Sequence, residues 1–108
     1  MSNNDSLFNV SQALDLGIKY IDKKDYELAL REFNKVLEFS PDNEVAIIKL
    51  GHVYLRQKNY LQAIEQFNRV LGINPKAMDS YEGLGLCYFE QGRIVEALEK
   101  FNYVLNFN

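Results

Sequence analysis

The sequence predicts an all-α solenoid built from three antiparallel helix-turn-helix units. Three observations carry that expectation. First, the 108 residues repeat at a fixed period of 34: Leu16, Leu50 and Leu84 align, as do Gly17, Gly51 and Gly85. Tyr20, Tyr54 and Tyr88 follow, then Ala29, Ala63 and Ala97, then Phe33, Phe67 and Phe101. A fixed period of this length marks a stack of supersecondary units. Second, apolar residues recur at helical spacing, and no segment alternates with a period of two. Third, Pro, Gly, Asn and Asp punctuate the pattern at regular intervals.

The elements follow in order. The opening MSNNDSLFNV is polar, and Asp5 or Ser6 is placed to cap a helix from about 7 to 23. Along it Ala13, Leu16, Gly17 and Tyr20 form one set, and Leu14, Ile18 and Ile21 a second. Lys23-Lys24-Asp25 interrupts the pattern, and Asp25 is a candidate cap for the second helix, 26–39. Ser40-Pro41 stops that helix, because the residue before proline is pushed out of the helical region. Asp42 or Asn43 caps a third helix to about 57, and Asn59 breaks before a fourth at 60–72. Asn74-Pro75 is the next stop. Helices at 77–90 and 94–107, turned at Gly92, complete the third pair. The whole reads as one domain, 1–108, with units at 10–43, 44–77 and 78–108.

The mid-helix glycines need a cause, since each costs roughly 1 kcal/mol against alanine. One glycine at the same place in every unit implies a neighbouring helix too close for a side chain. Ala29, Ala63 and Ala97 are the expected small partners, with Tyr20, Tyr54 and Tyr88 filling the wider gap beside them.

Composition narrows function. Charged residues make up 25% and apolar residues 47%, with a net charge of −3. Such a chain lacks the basic face that replaces released counterions, so no nucleic-acid partner is expected. No stretch is apolar and long enough for a signal peptide or a membrane span, so no membrane partner is expected. A single cysteine, Cys87, suits a reducing, cytoplasmic setting.

Leu-Gly-x-x-Tyr, then Ala-x-x-x-Phe, then Pro, on a 34-residue helix-turn-helix period, resembles the tetratricopeptide repeat over about residues 10–108. The chain departs from that pattern where Ala13, Ile47 and Tyr81 stand in place of the family's frequent Trp. Its third unit also stops without the proline or the extra helix that usually covers the last pair. Pentatricopeptide repeats, which read RNA, fit less well given the 34-residue spacing, the Gly-x-x-Tyr and the acidic charge. The resemblance implies a right-handed superhelix whose first helices line a concave face that holds a peptide.

Each first helix carries one stripe that repeats, such as Ile47, Leu50, Gly51 and Tyr54, and one that does not. The variable stripe comprises Leu14, Ile18 and Ile21 in the first unit, and Val45, Ile48, Lys49, His52, Leu55 and Arg56 in the second. In the third it comprises Asp79, Glu82, Leu86 and Phe89. A surface that varies over a repeating scaffold is what a specific groove requires. Leu14, Ile18, Ile48, Leu55 and Phe89 are expected to form an apolar floor, flanked by Asp79, Glu82 and Glu90. Leu14 and Ile48 serve equally well in packing first helix on first helix. The matching ligand is a protein or peptide with apolar anchors and some positive charge.

Where family members clamp a chaperone's C-terminal carboxylate, they use Lys and Asn, then Asn, then Lys and Arg. Here those places hold Leu14 and Ile18, then Lys49, then Asp79 and Gly83, so such a clamp is not expected. His52 lacks partners at ligand spacing, so no metal, cofactor or acid-base pair is expected and no enzyme is indicated. Cys87 reads as an inert buried thiol, and Asn34, Asn68 and Asn102 as helix-junction hydrogen bonders. A second function class, self-assembly as a homo-oligomer, rests on Leu98, Phe101, Leu105 and Phe107 at the last helix.

Overall fold

A computed structural model describes residues 8–106. Six helices follow one another: α1 Val10–Asp22, α2 Tyr26–Phe39, α3 Glu44–Arg56, α4 Tyr60–Ile73, α5 Met78–Glu90 and α6 Ile94–Asn106. Among the described residues there is no strand.

The helix boundaries follow local chemistry. α1 starts at Val10 and not near 7, because Asn9 supplies the cap: its side-chain carbonyl accepts from Gln12 N–H at 3.0 Å. Asp5, Ser6 and Leu7 lie outside the described residues. Asn43 caps α3 in the same way, accepting from Ala46 N–H at 2.9 Å. Asp25 and Asn59 occupy cap positions without a side-chain cap hydrogen bond, so their role is conformational. α4 runs to Ile73, one residue past Gly72.

The three hairpin turns share one design. Lys24, Lys58 and Gly92, each 34 apart, hold φ values of 64°, 65° and 79°. The residue after each donates back to a tyrosine carbonyl: Asp25 to Tyr20, Asn59 to Tyr54 and Arg93 to Tyr88, all at 2.8 Å. That bond closes the last turn of each first helix. The signal for Lys24 and Lys58 was their register with Gly92.

The glycines do mark close approaches, and the atoms nearest to them belong to the repeated phenylalanine. A Cβ on Gly17 would stand 2.6 Å from the Phe33 ring, on Gly51 2.7 Å from Phe67, and on Gly85 2.5 Å from Phe101. Each hairpin is therefore keyed by a ring packed on a bare stretch of the facing helix. Ala29, Ala63 and Ala97 are buried beside it, and the repeated tyrosines Tyr20, Tyr54 and Tyr88 pack around the same clusters. Gly83 adds a second bare surface, against the other helix that Phe67 meets. Phe67 is consequently held between α3 and α5.

The hairpins α1–α2, α3–α4 and α5–α6 stack so that each second helix meets the next first helix. First helices also touch one another, α1 on α3 and α3 on α5, whereas among the described residues α2, α4 and α6 do not. The layer whose members lie closer together is the inner side of a curved stack. The result is a rod of 54 × 27 × 21 Å with a radius of gyration of 14.9 Å. A compact chain of this length has about 13 Å, so the core is spread along the stack.

Candidate functional site

The inner layer of α1, α3 and α5 carries the variable stripe, and the structure divides its residues into two groups. Leu14, Ile18 and Ile21 are half-buried against the first core cluster of Phe33, Val36, Leu50 and Val53. Ile48 is half-buried between two clusters, one around Phe67 and Leu84 and one around Ile47 and Val70. These four therefore spend much of their surface on packing. Val45, Leu86 and Phe89 project outward, at 47%, 39% and 55% exposure, and Arg56, Asp79, Glu82 and Glu90 are exposed as well.

Toward the C-terminal ends of α3 and α5 the apolar side chains converge. Leu55, Arg56, Lys58, Tyr60, Leu86 and Glu90 line an open pocket of about 220 Å³. That is below the roughly 300 Å³ at which small-molecule sites begin. Lys58 and Tyr60 were missed from sequence because Lys58 belongs to the hairpin turn and Tyr60 opens α4, and the stripe was drawn on the first helices alone.

Charge on this face is segregated. Lys49 and Arg56 stand on α3, and Asp79, Glu82 and Glu90 on α5. His52 sits between the two rows, half-buried, with its ring edge-on to Phe67 at 5.4 Å. Burial holds its imidazole below the usual 6.5, aided by the positive charges of Lys49 and Arg56 and opposed by Asp79. At neutral pH His52 is an uncharged ring packed on a core phenylalanine.

Other candidate groups resolve into scaffold. Cys87 is fully buried in the Phe67–Leu84 cluster, and burial pushes its thiol up to about 11. Asn34, Asn68 and Asn102 are exposed and their side chains make no hydrogen bond among the described residues, against the expected bonding at helix junctions. Ser80 is the converse case, its hydroxyl fully buried without a partner among the described residues. Among the described residues no three potential metal ligands converge, and no helix is long and apolar enough to cross a membrane.

On α6, Leu98 and Leu105 are exposed at 54% and 66%, and Phe101 is half-buried where Phe33 and Phe67 are fully enclosed. Phe107 lies outside the described residues.

Comparison with known proteins agrees with this architecture. The chain is 30% identical to the solved structure of MamA from AMB-1, with a TM-score of 0.77 over 95% of its length. It spans 61% of that MamA chain. A tetratricopeptide repeat protein from Parabacteroides merdae matches at 24% identity and a TM-score of 0.84, over 91% of this chain and 38% of that one. The first repeat domain of Spaghetti (RPAP3), solved with the HSP90 peptide SRMEEVD, matches at 23% identity and 0.82, over 90% and 77%. No curated protein matches by sequence. Family models described as tetratricopeptide repeat match residues 14–43 and 48–106, the second alone more than half of the chain. The chain belongs to the tetratricopeptide repeat family.

Proposed function

We propose that this chain is a non-catalytic protein-protein interaction module that holds a peptide or helix against α1, α3 and α5. Repeats of this family are in general interaction modules, which supports the class. The observation that carries the finer reading is the face shared by the three touching first helices. On it the repeating Leu50, Gly51, Leu84 and Gly85 are buried, whereas the non-repeating Val45, Arg56, Asp79, Glu82, Leu86 and Phe89 are exposed, Arg56 and Leu86 lining an apolar pocket with half-buried Leu55. The ligand places an apolar side chain between Leu55 and Leu86, a second against Phe89, and a basic group near Asp79, Glu82 or Glu90. The buried, unreactive Cys87 suits a reducing, cytoplasmic setting.

The peptide seen on the Spaghetti domain does not transfer with the fold. The places that would clamp its carboxylate hold Leu14, Ile18, Lys49, Asp79 and Gly83, and the Phe67 ring blocks any side chain at Gly83. Peptide SRMEEVD is expected to show no binding below about 1 mM, which corresponds to only ~4 kcal/mol.

A random peptide library panned against the chain tests the proposal. Enriched peptides combine aliphatic or aromatic anchors with Lys or Arg, and bind Phe89→Glu or Leu86→Glu at least tenfold more weakly, on the order of 1.4 kcal/mol. Both positions are exposed, so these variants keep the fold, whereas changes at Ile48 would disturb two core clusters. Enrichment of acidic peptides, or binding indifferent to both substitutions, would falsify the groove reading.

A further inference from the structure

One position of the inner layer carries a charge in all three units and changes sign from each to the next. It is Asp22 on α1, Arg56 on α3 and Glu90 on α5, each 34 residues from its neighbour and each exposed. A second position, Asp15 and Lys49, repeats the first change of sign. Asp22 and Glu90 are the last residues of their helices, where the helix dipole disfavours an anion. Local helix stability therefore does not account for them.

The touching first helices thus run acidic, basic, acidic across the layer, and their charges do not cancel by pairing. Among the described residues the ion pairs are Lys35 with Glu32 and Arg93 with Glu96, both at second helices. Arg56 and Glu90 line one pocket, beside Leu55 and Leu86, and still form no ion pair. Unpaired charges of opposite sign on neighbouring helices are complementary to a ligand of the opposite pattern.

The spacing of the helices sets the spacing on the ligand. Packed helices lie about 8–10 Å apart, and the inner side of a curved stack is its shorter side. A polyproline-type chain rises about 3.1 Å per residue and returns to one face every third residue, at about 9.3 Å. A β-strand turns its third residue onward to the opposite face. An α-helix returns to the same face after seven residues, at about 10.5 Å, which overshoots.

We propose that the groove reads charge order: its ligand is an extended peptide with a basic, an acidic and a basic side chain at every third position, meeting α1, α3 and α5 in turn. This deepens the peptide-binding reading above and rests on it. The acidic side chain stands at Arg56 and Lys49, and the basic ones stand at Asp22 and Glu90. Apolar residues between them reach Leu55 and Phe89, which directly precede Arg56 and Glu90. The order is the same read from either end, so the charges fix the register across the three hairpins and leave direction to the apolar contacts.

Titration of the 108-residue chain at low salt with the synthetic peptides KPLEPLK and KPLKPLK, followed by backbone-amide NMR, tests the proposal. The chain has a net charge of −3, so general attraction favours KPLKPLK. Charge order favours KPLEPLK, by about fivefold, the upper range for an exposed ion pair. Arg56→Glu, at an exposed position, reverses the preference, and ~1 M salt, with a screening length of about 3 Å, erases it. KEPLPLK, of the same composition as KPLEPLK but with the acid displaced, binds about threefold more weakly than KPLEPLK. Equal or tighter binding of KPLKPLK or KEPLPLK, a preference that survives Arg56→Glu, or no shifts from any peptide at millimolar concentration overturns the proposal. Shifts confined to residues outside α1, α3 and α5 remove the peptide-binding reading itself, and the charge order with it.

Discussion

Replacing Gly51 and Gly85 by alanine separates the packing cost of the ring-on-glycine key from helix propensity. Alanine gains roughly 1 kcal/mol of intrinsic helix preference at either site. Against that gain, the new Cβ stands 2.7 Å from the Phe67 ring at Gly51 and 2.5 Å from the Phe101 ring at Gly85. Ordinary carbon contacts lie near ~3.5–4.0 Å, so the ring must retreat by about 1 Å in each case. Phe67 has nowhere to go: it is fully buried, abuts Gly83 on α5, and is met edge-on by His52. Phe101 is half-buried, packs on α5 alone among the described helices, and can swing outward. Overpacking costs about 1–3 kcal/mol where neighbours cannot yield. Gly51→Ala is therefore net destabilising by up to about 2 kcal/mol, and Gly85→Ala is near neutral or stabilising. Urea unfolding followed by circular dichroism measures both. A companion cycle of Gly51→Ala with Phe67→Leu gives a coupling of at least ~1 kcal/mol, because the smaller side chain frees the space. Equal effects at the two glycines, or additive behaviour in the cycle, refute the argument.

Four further outcomes follow from individual side chains. Lys58→Gly stabilises the chain by roughly 0.5–1 kcal/mol in the same unfolding assay, since Lys58 holds a left-handed φ of 65° that a Cβ disfavours. Ser80→Ala, which matches buried Ala46 in the previous unit, gains about 1 kcal/mol by removing a buried hydroxyl without a partner. With its thiol pushed up to about 11, Cys87 reacts at pH 8 with iodoacetamide at least about 100-fold more slowly in the folded chain than in urea. His52 has a folded pKa below its unfolded value of 6.5, so the unfolded state takes up the proton first and stability falls as pH drops through 6.5 toward the folded pKa. His52→Gln flattens that slope, and an unchanged slope in pH-dependent melting counts against the assignment.

How far such properties can be read from sequence depends on whether a feature repeats. Gly17, Gly51 and Gly85 state one packing rule three times, so the close approach is legible without coordinates. Its partner is less so: Ala29 and Phe33 lie four residues apart on one helix face and repeat equally well, and only the crossing geometry puts the ring over the glycine. The left-handed turn at Lys24 and Lys58 is legible only through its third copy, where the residue is Gly92. The candidate groove inverts this logic. Its residues are recognisable because they fail to repeat, and for the same reason no second copy corrects an error about any of them. Leu14 and Ile48 are drawn into packing while Phe89 stays in solvent, although all three hold equivalent standing in the helical stripe. Leu14 and Ile48 share one position of the 34-residue repeat, and Phe89 holds another, aligned with half-buried Ile21 and Leu55, so contacts contributed between neighbouring hairpins decide as well. Gly83 gives one such contribution: by letting Phe67 sit against α5 it draws the second and third hairpins together. Lys49, its equivalent in the second unit, cannot do so. The two junctions of the stack are therefore closed by different contacts, and the inner face they shape is specific to this chain even though the units that build it are alike.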